Sequence, residues 1–153
     1  MSEIKVFTDG SSRGNPGPGG YGAILQFGSQ RKELSQGFRK TTNNRMELMA
    51  VCAALENIKT EKYPVTVYSD SKYVIDSITK GWVFGWVKKN FKDKKNKDLW
   101  LRYLKVHSRF KIKFVWVKGH AGHPENERCD ELAVQAALQG PHSVDVVFEQ
   151  EES

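Results

Sequence analysis

IKVFTDGSSRGNPGPGGYGAILQF, residues 4–27, contains two apolar strand patterns separated by a stretch rich in glycine and proline. Residues 4–8 predict a buried strand that stops at Asp9, and residues 10–20 predict a turn-rich connection. Residues 21–27 alternate larger apolar side chains with smaller or polar ones, which is typical of a second strand. This stretch therefore predicts that the chain begins as a β-sheet.

The rest of the chain adds one more neighbouring strand and then alternates helices with strands. Gly28 and Ser29 favour a hairpin into a third strand near residues 31–39, which completes an antiparallel meander. The later predicted elements are a helix over 44–59, a strand over 65–69, helices over 71–79 and 98–107, a strand over 111–117 and a last helix opened by Pro124. This order predicts an α/β fold, a mixed sheet covered by helices.

The length of 153 residues fits one domain, which we place at residues 1–140. Residues 141–153 form a C-terminal tail, either a short added strand or a loose end, and the pattern leaves both open. Cys52 and Cys129 lie at apolar helical positions and are expected to be reduced core thiols. No apolar run is long enough to span a bilayer, and none resembles a signal segment, so we expect no membrane partner and a cytoplasmic location.

The positive charge is concentrated in one segment. The formal net charge of the chain is +6. Residues 80–97 hold seven lysines against one acid, Asp93, so this segment alone has a net charge of +6. Trp82, Phe84, Trp86 and Phe91 are interleaved with these lysines, a pairing suited to binding a polyanion. The alternative is a solvated helix whose aromatic side chains pack inward, and both descriptions can hold together, with the tryptophans anchoring the segment.

Four acidic residues are candidates for chemistry. Asp9 and Asp70 follow apolar strands, and the first and fourth strands can lie side by side in a mixed sheet. Glu47 and Asp130 lie in predicted helices, where a carboxylate among apolar side chains is costly unless a cation compensates it. Each helical acid also has a structural alternative: Glu47 could complete a capping box with Asn44, and Asp130 could serve the helix dipole.

Several long motifs carry a family resemblance. They are FTDGS (7–11), GNPGPGGYG (14–22), TTNNRMEL (41–48), SDSKYV (69–74) and VKGHAGHPENERCDELA (117–133). In order and spacing they resemble bacterial type 1 ribonuclease H over about residues 4–138. The resemblance implies a ribonuclease H-like fold, a five-stranded mixed sheet flanked by helices with a basic protruding handle. It also implies an endonuclease, a phosphodiester hydrolase that cuts the RNA strand of RNA/DNA hybrids.

The resemblance implies roles for the acidic residues. Asp9, Glu47, Asp70 and Asp130 match the family's metal-binding carboxylates, and His120 matches a mobile histidine that assists turnover. Two Mg²⁺ ions about 3.5 to 4 Å apart, or Mn²⁺ in their place, would activate water and stabilise the leaving oxygen, giving 5′-phosphate and 3′-hydroxyl ends. Hard oxygen ligands suit Mg²⁺. For His123, next to Pro124, we favour a capping or packing role.

The resemblance also implies how the hybrid is bound by an expected monomer. Asn15, Asn43 and Asn44 would read 2′-hydroxyls in the minor groove, and Thr42 would contribute to a phosphate pocket on the DNA strand. Turn and cap chemistry is the alternative for the asparagines. The handle, defined here as residues 80–97, would contribute the following further contacts: Trp82, Trp86, Lys88, Lys89, Lys94 and Lys95.

The chain departs from the family pattern in places. Lys72 stands where a glutamine commonly contacts the substrate, which replaces an amide by a point charge. Ser12 and Arg13 replace a Cys-Leu pair, and Phe91 replaces a tryptophan of the handle. Two other functions are weighed: a hybrid-binding module without cleavage, and another nuclease of this architecture, such as a resolvase, an integrase or the ribonuclease H part of a reverse transcriptase.

Overall fold

A mixed six-stranded sheet lies at the centre of the chain, in a computed structural model that describes residues 3–118 and 123–152. Its strands are β1 (Ile4–Ser12), β2 (Gly17–Phe27), β3 (Gln30–Thr41), β4 (Val65–Ser69), β5 (Ile112–Trp116) and β6 (His142–Ser143). Their order is β5-β4-β1-β2-β3-β6. The predicted α/β fold with a five-stranded mixed sheet is confirmed, and the two-residue β6 is added at the edge.

Six helices complete the part of the chain that the structure describes. They are α1 (Asn43–Glu56), α2 (Lys72–Thr79), α3 (Trp82–Lys88), α4 (Lys97–His107), α5 (Pro124–Gln139) and α6 (Val146–Glu152). None of them combines the length and apolar character that crossing a membrane requires.

The central strand β1 pairs with two neighbours that run in opposite directions to each other. It is antiparallel to β2 and parallel to β4, with Val6 opposite Val67 and Phe7 opposite Tyr68. β4 and β5 are also parallel. Parallel strands bring their carboxyl ends to the same edge of a sheet, so the residues after β4 and β5 lie at the edge reached by the later residues of β1.

The first two strands are longer than their patterns predict, and the predicted end of β1 at Asp9 is wrong. β1 continues to Ser12, and Asp9 lies within it, opposite Gly22 of β2. Glycine disfavours strands because it has no side chain to pack, which is why the sequence suggested a turn. Here its missing side chain is needed, because a Cβ at Gly22 would clash with the Cys129 carbonyl oxygen on α5.

Helices cover both faces of the sheet. α1 is buried from Arg45 to Leu55 and packs on β1 and β2, and α5 packs on the opposite face. Thr42 directly precedes α1, and its hydroxyl oxygen accepts a hydrogen bond from the Arg45 amide at 3.2 Å. Thr42 is therefore the N-cap, and the suggested capping box between Asn44 and Glu47 is wrong. Glu47 is left available for another role.

Residues 141–152 pack against the sheet and α1. β6 pairs with β3, and the buried Asp145 accepts hydrogen bonds from Thr41 at 2.7 Å and from Arg45 at 2.7 and 2.9 Å. α6 is tied to β3 by two-pronged hydrogen bonds from Arg39 to Glu149. The domain boundary at residue 140 stays a prediction.

Both cysteines are free and buried, as the sequence predicts. The Cys129 thiol donates a hydrogen bond to the Phe7 carbonyl at 3.3 Å, which joins α5 to β1. Burial raises the pKa of the Cys52 thiol to about 12, so neither a nucleophilic nor a metal-ligating thiolate is favoured there at neutral pH.

Candidate active site

Three carboxylates converge beside the carboxyl end of β4. Asp70 follows β4 by one residue, and Asp9 lies on the adjacent parallel strand at the equivalent level, two residues beyond the Phe7–Tyr68 pair. Glu47 approaches from the first turns of α1. One ligand oxygen from each of the three residues lies within 4.8 Å of the other two. We call Asp9, Glu47 and Asp70 the carboxylate trio.

Gly10 allows the trio to form. A Cβ at this position would clash with the Glu47 backbone nitrogen, so any other residue would push α1 away from β1. The Gly10 amide also donates a hydrogen bond to Asp9 Oδ1 at 2.9 Å. The FTDGS motif therefore supplies both a carboxylate and the space that brings a second one to it.

Burial makes the trio electrostatically costly. Asp9 is 2% exposed and Glu47 is 5% exposed. Burial raises the pKa of Glu47 well above its usual value, and the nearby charges of Asp9 and Asp70 raise it further. Among residues 3–118 and 123–152, Glu47 Oε1 has no hydrogen-bond partner. A buried carboxylate oxygen in this setting fits a metal ligand, so the trio can hold a divalent cation.

Asp130 and His120 differ from the trio. Asp130 lies in the second turn of α5, one residue after Cys129, and its side chain is exposed, so the expectation that burial makes its charge costly is wrong. It is not part of the group that converges within 4.8 Å. Its metal-binding role stays a prediction. His120 lies outside the described residues. His123 is the N-cap of α5, but its exposed side chain makes no capping hydrogen bond.

The amide residues predicted to read the hybrid lie at the start of α1 and in the turn between β1 and β2. Asn15, Asn43 and Asn44 are exposed, and Asn15 Oδ1 accepts a hydrogen bond from the Asn43 amide at 3.1 Å. This bond joins the turn between β1 and β2 to the first residue of α1.

A polar cavity lies beside this cluster. It has a volume of about 350 Å³ and is lined by Asn15, Thr42, Asn44, Lys94, Lys95, Asn96, Lys97, Phe148 and Glu151. Three lysines of the handle therefore face the same space as the α1 N-cap, an arrangement that suits an anion such as a phosphate.

The handle combines an anchored inner side with an exposed basic surface. Val83 and Phe91 are buried, and Trp86 packs on Trp100 with ring centroids 6.0 Å apart. Trp82 is 48% exposed, so the expectation that both tryptophans anchor the handle is wrong for Trp82. The alternative in which aromatic side chains pack inward holds for part of the set, and binding of a polyanion by the handle stays a prediction.

The cationic groups of the handle are available to a ligand. The side chains of Lys88, Lys89, Lys92, Lys94 and Lys95 are exposed. The Lys94 ammonium lies 5.2 Å from the Trp86 ring centroid, and that of Lys80 lies 5.4 Å from Trp82, both within cation–π range. The surface thus presents positive charge next to aromatic faces.

One residue beside the trio was missed by sequence reasoning. Trp116 ends β5 and was interpreted only as part of the apolar alternation of that strand, yet it is 42% exposed. The Lys72 ammonium lies 4.2 Å from its ring centroid. Only its position, at the end of a strand next to a site motif, could have singled it out.

The comparisons with known proteins agree with this geometry. A family model described as RNase H matches residues 1–138. A ribonuclease H of Desulforamulus reducens is 53% identical over 151 residues, covering 95% of this chain and 94% of the relative. A ribonuclease H of Edwardsiella ictaluri is 53% identical over 142 residues, covering 90% of this chain and 91% of the relative. The chain belongs to the RNase H family.

Solved structures agree. LC9-RNase H1, described as a type 1 RNase H with the type 2 active-site motif, has a TM-score of 0.81 at 30% identity, covering all of this chain and 82% of that chain. LC11-RNase H1 in complex with an RNA/DNA hybrid has a TM-score of 0.67 at 26% identity, covering 88% of this chain and 96% of that chain. The predictions of the family and of a ribonuclease H enzyme are confirmed.

Proposed function

We propose that the chain is an endoribonuclease that hydrolyses the RNA strand of RNA/DNA hybrids, with two Mg²⁺ ions that Mn²⁺ can replace. The observation that carries the proposal is the buried trio, whose ligand oxygens lie within 4.8 Å of one another. A hybrid substrate is supported by the similar LC11-RNase H1, which has been solved with one. The products would carry 5′-phosphate and 3′-hydroxyl ends.

The carboxylates would hold the ions. Bound divalent ions supply an attacking water of lowered pKa and stabilise the leaving oxygen. Asp9, Glu47 and Asp70 provide the hard oxygen ligands that Mg²⁺ prefers, and Glu47 Oε1 offers a buried acceptor that the described residues leave without a hydrogen bond. Asp130, exposed on α5, would add a fourth carboxylate to the ligand set. Those four residues are the proposed metal ligands.

His120 would assist turnover, either as a proton carrier or as an aid to product release. An imidazole near its ordinary pKa can accept and return a proton at neutral pH. We expect His120→Ala to lower kcat much more than it raises KM, without abolishing activity.

The residues at the start of α1 would select RNA. An exposed asparagine side chain both donates and accepts hydrogen bonds, as a 2′-hydroxyl does. Asn15 accepts a hydrogen bond from the Asn43 backbone amide, and the exposed side chains of Asn43 and Asn44 would meet the minor groove of the hybrid. Thr42 and the lysine-lined cavity beside it would bind a phosphate of the DNA strand.

The handle would bind the rest of the duplex through its exposed lysines and Trp82. Lys72, exposed at the start of α2, would add a further cation near the trio. We expect the enzyme to act as a monomer, and we expect a cytoplasmic location, in keeping with two free buried thiols.

A cleavage assay tests the proposed function directly. Purified protein is incubated with end-labelled RNA/DNA, RNA/RNA, DNA/DNA and single-stranded RNA, in Mg²⁺, Mn²⁺, Ca²⁺ or EDTA. We expect cutting of the RNA strand of RNA/DNA alone, in Mg²⁺ or Mn²⁺. Ca²⁺ should fail because its irregular, higher coordination misplaces water and phosphate. Binding of the hybrid without cutting in Mg²⁺ would favour the binding module, and cutting of DNA/DNA would favour another nuclease of this fold.

A second assay tests the reading of 2′-hydroxyls. Substrates carry one, two, three, four or more ribonucleotides within a DNA strand, and efficient cutting should require several. The double variant Asn43→Ala, Asn44→Ala should lose affinity for the hybrid much more than for duplex DNA. Equal losses on both duplexes would show that the pair serves the helix start alone.

The handle is tested by replacing four of its lysines with alanine: Lys88, Lys89, Lys94 and Lys95. KM should rise, and the slope of log K against log salt should flatten by roughly 0.9 for each phosphate that no longer binds a lysine. A control with the same loss of charge replaces four exposed lysines outside the handle: Lys5, Lys59, Lys62 and Lys111. An equal change in both quadruple variants would show that the handle lysines contribute only to the net charge and do not form a specific binding surface.

A further inference from the structure

Trp116 is a large apolar side chain in an unusual place. It is 42% exposed at the end of β5 and lies opposite Ser69, the residue before Asp70, in the pairing of β5 with β4. A ring of this size stabilises a protein mainly when it is covered. None of the roles proposed above uses it, although it adjoins a member of the trio.

The indole of Trp116 contacts the segment 70–72 at both ends. Its Nε1 donates a hydrogen bond to the Asp70 backbone carbonyl at 3.2 Å. Its ring lies 4.2 Å from the Lys72 ammonium, measured to the ring centroid, well within the cation–π range of about 6 Å. One side chain therefore touches both a trio residue and the nearest lysine beyond it.

The position of Lys72 is electrostatically unfavourable for its own helix. It is the first residue of α2, directly after the N-cap Ser71. The N-terminus of a helix carries a partial positive charge, so a lysine there repels it. The Trp116 ring offsets this cost by holding the ammonium. Because an ammonium has three N–H donors, contact with a ring on one side leaves donors for phosphate oxygens.

We propose that Trp116 is a positioning residue that holds Lys72 toward a backbone phosphate of the hybrid beside the trio, and that fixes the backbone of Asp70. The proposal rests on the proposed function and adds a phosphate contact to it. A free lysine loses rotamer freedom when it binds. An ammonium already placed by the ring loses less, so its phosphate contact lowers KM more.

Two substitutions at Trp116 separate its two contacts. Trp116→Phe keeps an aromatic face but loses the N–H, so kcat should fall about fivefold, the value of one hydrogen bond, with KM within twofold. Trp116→Leu loses both contacts, so KM should also rise about two- to fivefold. If Trp116 only stabilised the fold, Trp116→Phe would not change kcat alone and Trp116→Leu would not change kcat and KM together. Equal kcat and KM in all three proteins would overturn the proposal.

Lys72 is tested alone and together with Trp116. Lys72→Met should raise KM and flatten the salt dependence of hybrid affinity by roughly 0.9 in slope, one phosphate contact. Adding Trp116→Leu to it should raise KM no further, because the ring acts through the ammonium. Additive increases would overturn the coupling. Lys113→Met, the same loss of charge on an exposed β5 residue, is the control and should keep the wild-type slope.

A binding measurement separates this proposal from the proposed function. The dissociation constant for the hybrid is measured in EDTA, where the same Lys72–Trp116 coupling should appear without cleavage. If the wild type binds the hybrid but does not cut it in Mg²⁺, the proposed function fails while the coupling in Kd still supports the contact. If the wild type cuts the hybrid and the Kd values of the variants equal the wild-type value, the contact alone is overturned.

Discussion

Arg45 and Glu47 stand two residues apart in the first turns of α1, and both are buried, at 1% and 5% exposure. Their surroundings differ in sign. Arg45 donates two hydrogen bonds to Asp145, at 2.7 and 2.9 Å, and two to Asp98, also at 2.9 and 2.7 Å. Glu47 faces Asp9 and Asp70, two charges like its own.

The difference shows how to separate a structural charge cluster from a functional one. Around Arg45, opposite charges and hydrogen bonds offset the cost of burial, so the cluster joins α1 to α4 and to the segment after β6. Around Glu47, burial and like charges add together, and the folded chain holds carboxylates that repel one another. That arrangement persists in a functional protein when a ligand supplies the missing positive charge.

The largest expected effect is on activity, from Asp70→Asn. We expect hybrid cleavage to fall by more than about 100-fold, because the loss of a proposed metal ligand should exceed the usual cost of losing its outer-shell support. Hybrid binding should survive, since the handle and the α1 residues are intact. The measurement is cleavage rate and hybrid Kd for the variant and the wild type.

Asp76→Asn is the matched control for that substitution. It makes the same chemical change six residues further on, in α2, where Asp76 lies 3.8 Å from the Lys80 ammonium. Its activity should stay near the wild-type value. Near-normal turnover in Asp70→Asn would remove Asp70 from the proposed chemistry.

The next effect is on stability, from Arg45→Met. Two carboxylates would lose their buried cation, and we expect the free energy of unfolding to fall by about 3 to 5 kcal/mol. Arg102→Met is the control: Arg102 also bonds a carboxylate, Glu56 at 2.7 Å, but the pair is over one-third exposed. Its loss should cost at most about 1 kcal/mol. Urea unfolding measures both, and equal losses would contradict a special role for the buried cluster.

The smallest effect concerns pH in the metal-free protein. The pKa of Glu47 is raised on folding, so its proton stabilises the fold fully below the ordinary glutamate pKa of 4.5. This contribution is lost as pH rises through the folded pKa. In EDTA, the Glu47→Gln variant has no such proton to lose. Its free energy of unfolding relative to that of the wild type should therefore increase as pH rises above 4.5. A difference that stays constant with pH would contradict the raised pKa.

The sequence predicted the elements with strong apolar patterns and missed those that depend on distant partners. The strand Val65–Ser69 was predicted residue for residue, because a short run rich in β-branched and aromatic residues between polar segments favours a strand. Residues 10–20 looked like a turn because of their glycines. Gly19 and Gly20 instead lie in β2, where a Cβ would clash with the Thr41 side chain on β3 and with the Ala133 carbonyl oxygen on α5 respectively, which no local rule detects. Tertiary contact outweighed local preference.

The candidate site shows the same limit. Motif positions singled out the trio residues, and the adjacency of β1 and β4 could be anticipated as one arrangement of a mixed sheet. The exposure of Asp130 and Trp82 could not be anticipated, because a helical pattern does not tell which face a neighbouring element covers. The bond between Arg45 and Asp145 joins residues 100 positions apart, beyond any local signal.

The central claim is that the trio is a binding site for divalent cations, and a Mg²⁺ titration of thermal stability tests it without substrate. A ligand at 100 times its Kd adds about 2.7 kcal/mol to stability, so the wild-type Tm should rise by several degrees at constant ionic strength. Asp70→Asn should start at a higher Tm in EDTA, since one repelling charge is gone, and should respond weakly to Mg²⁺. An unchanged wild-type Tm, or the same rise in both proteins, would contradict the claim.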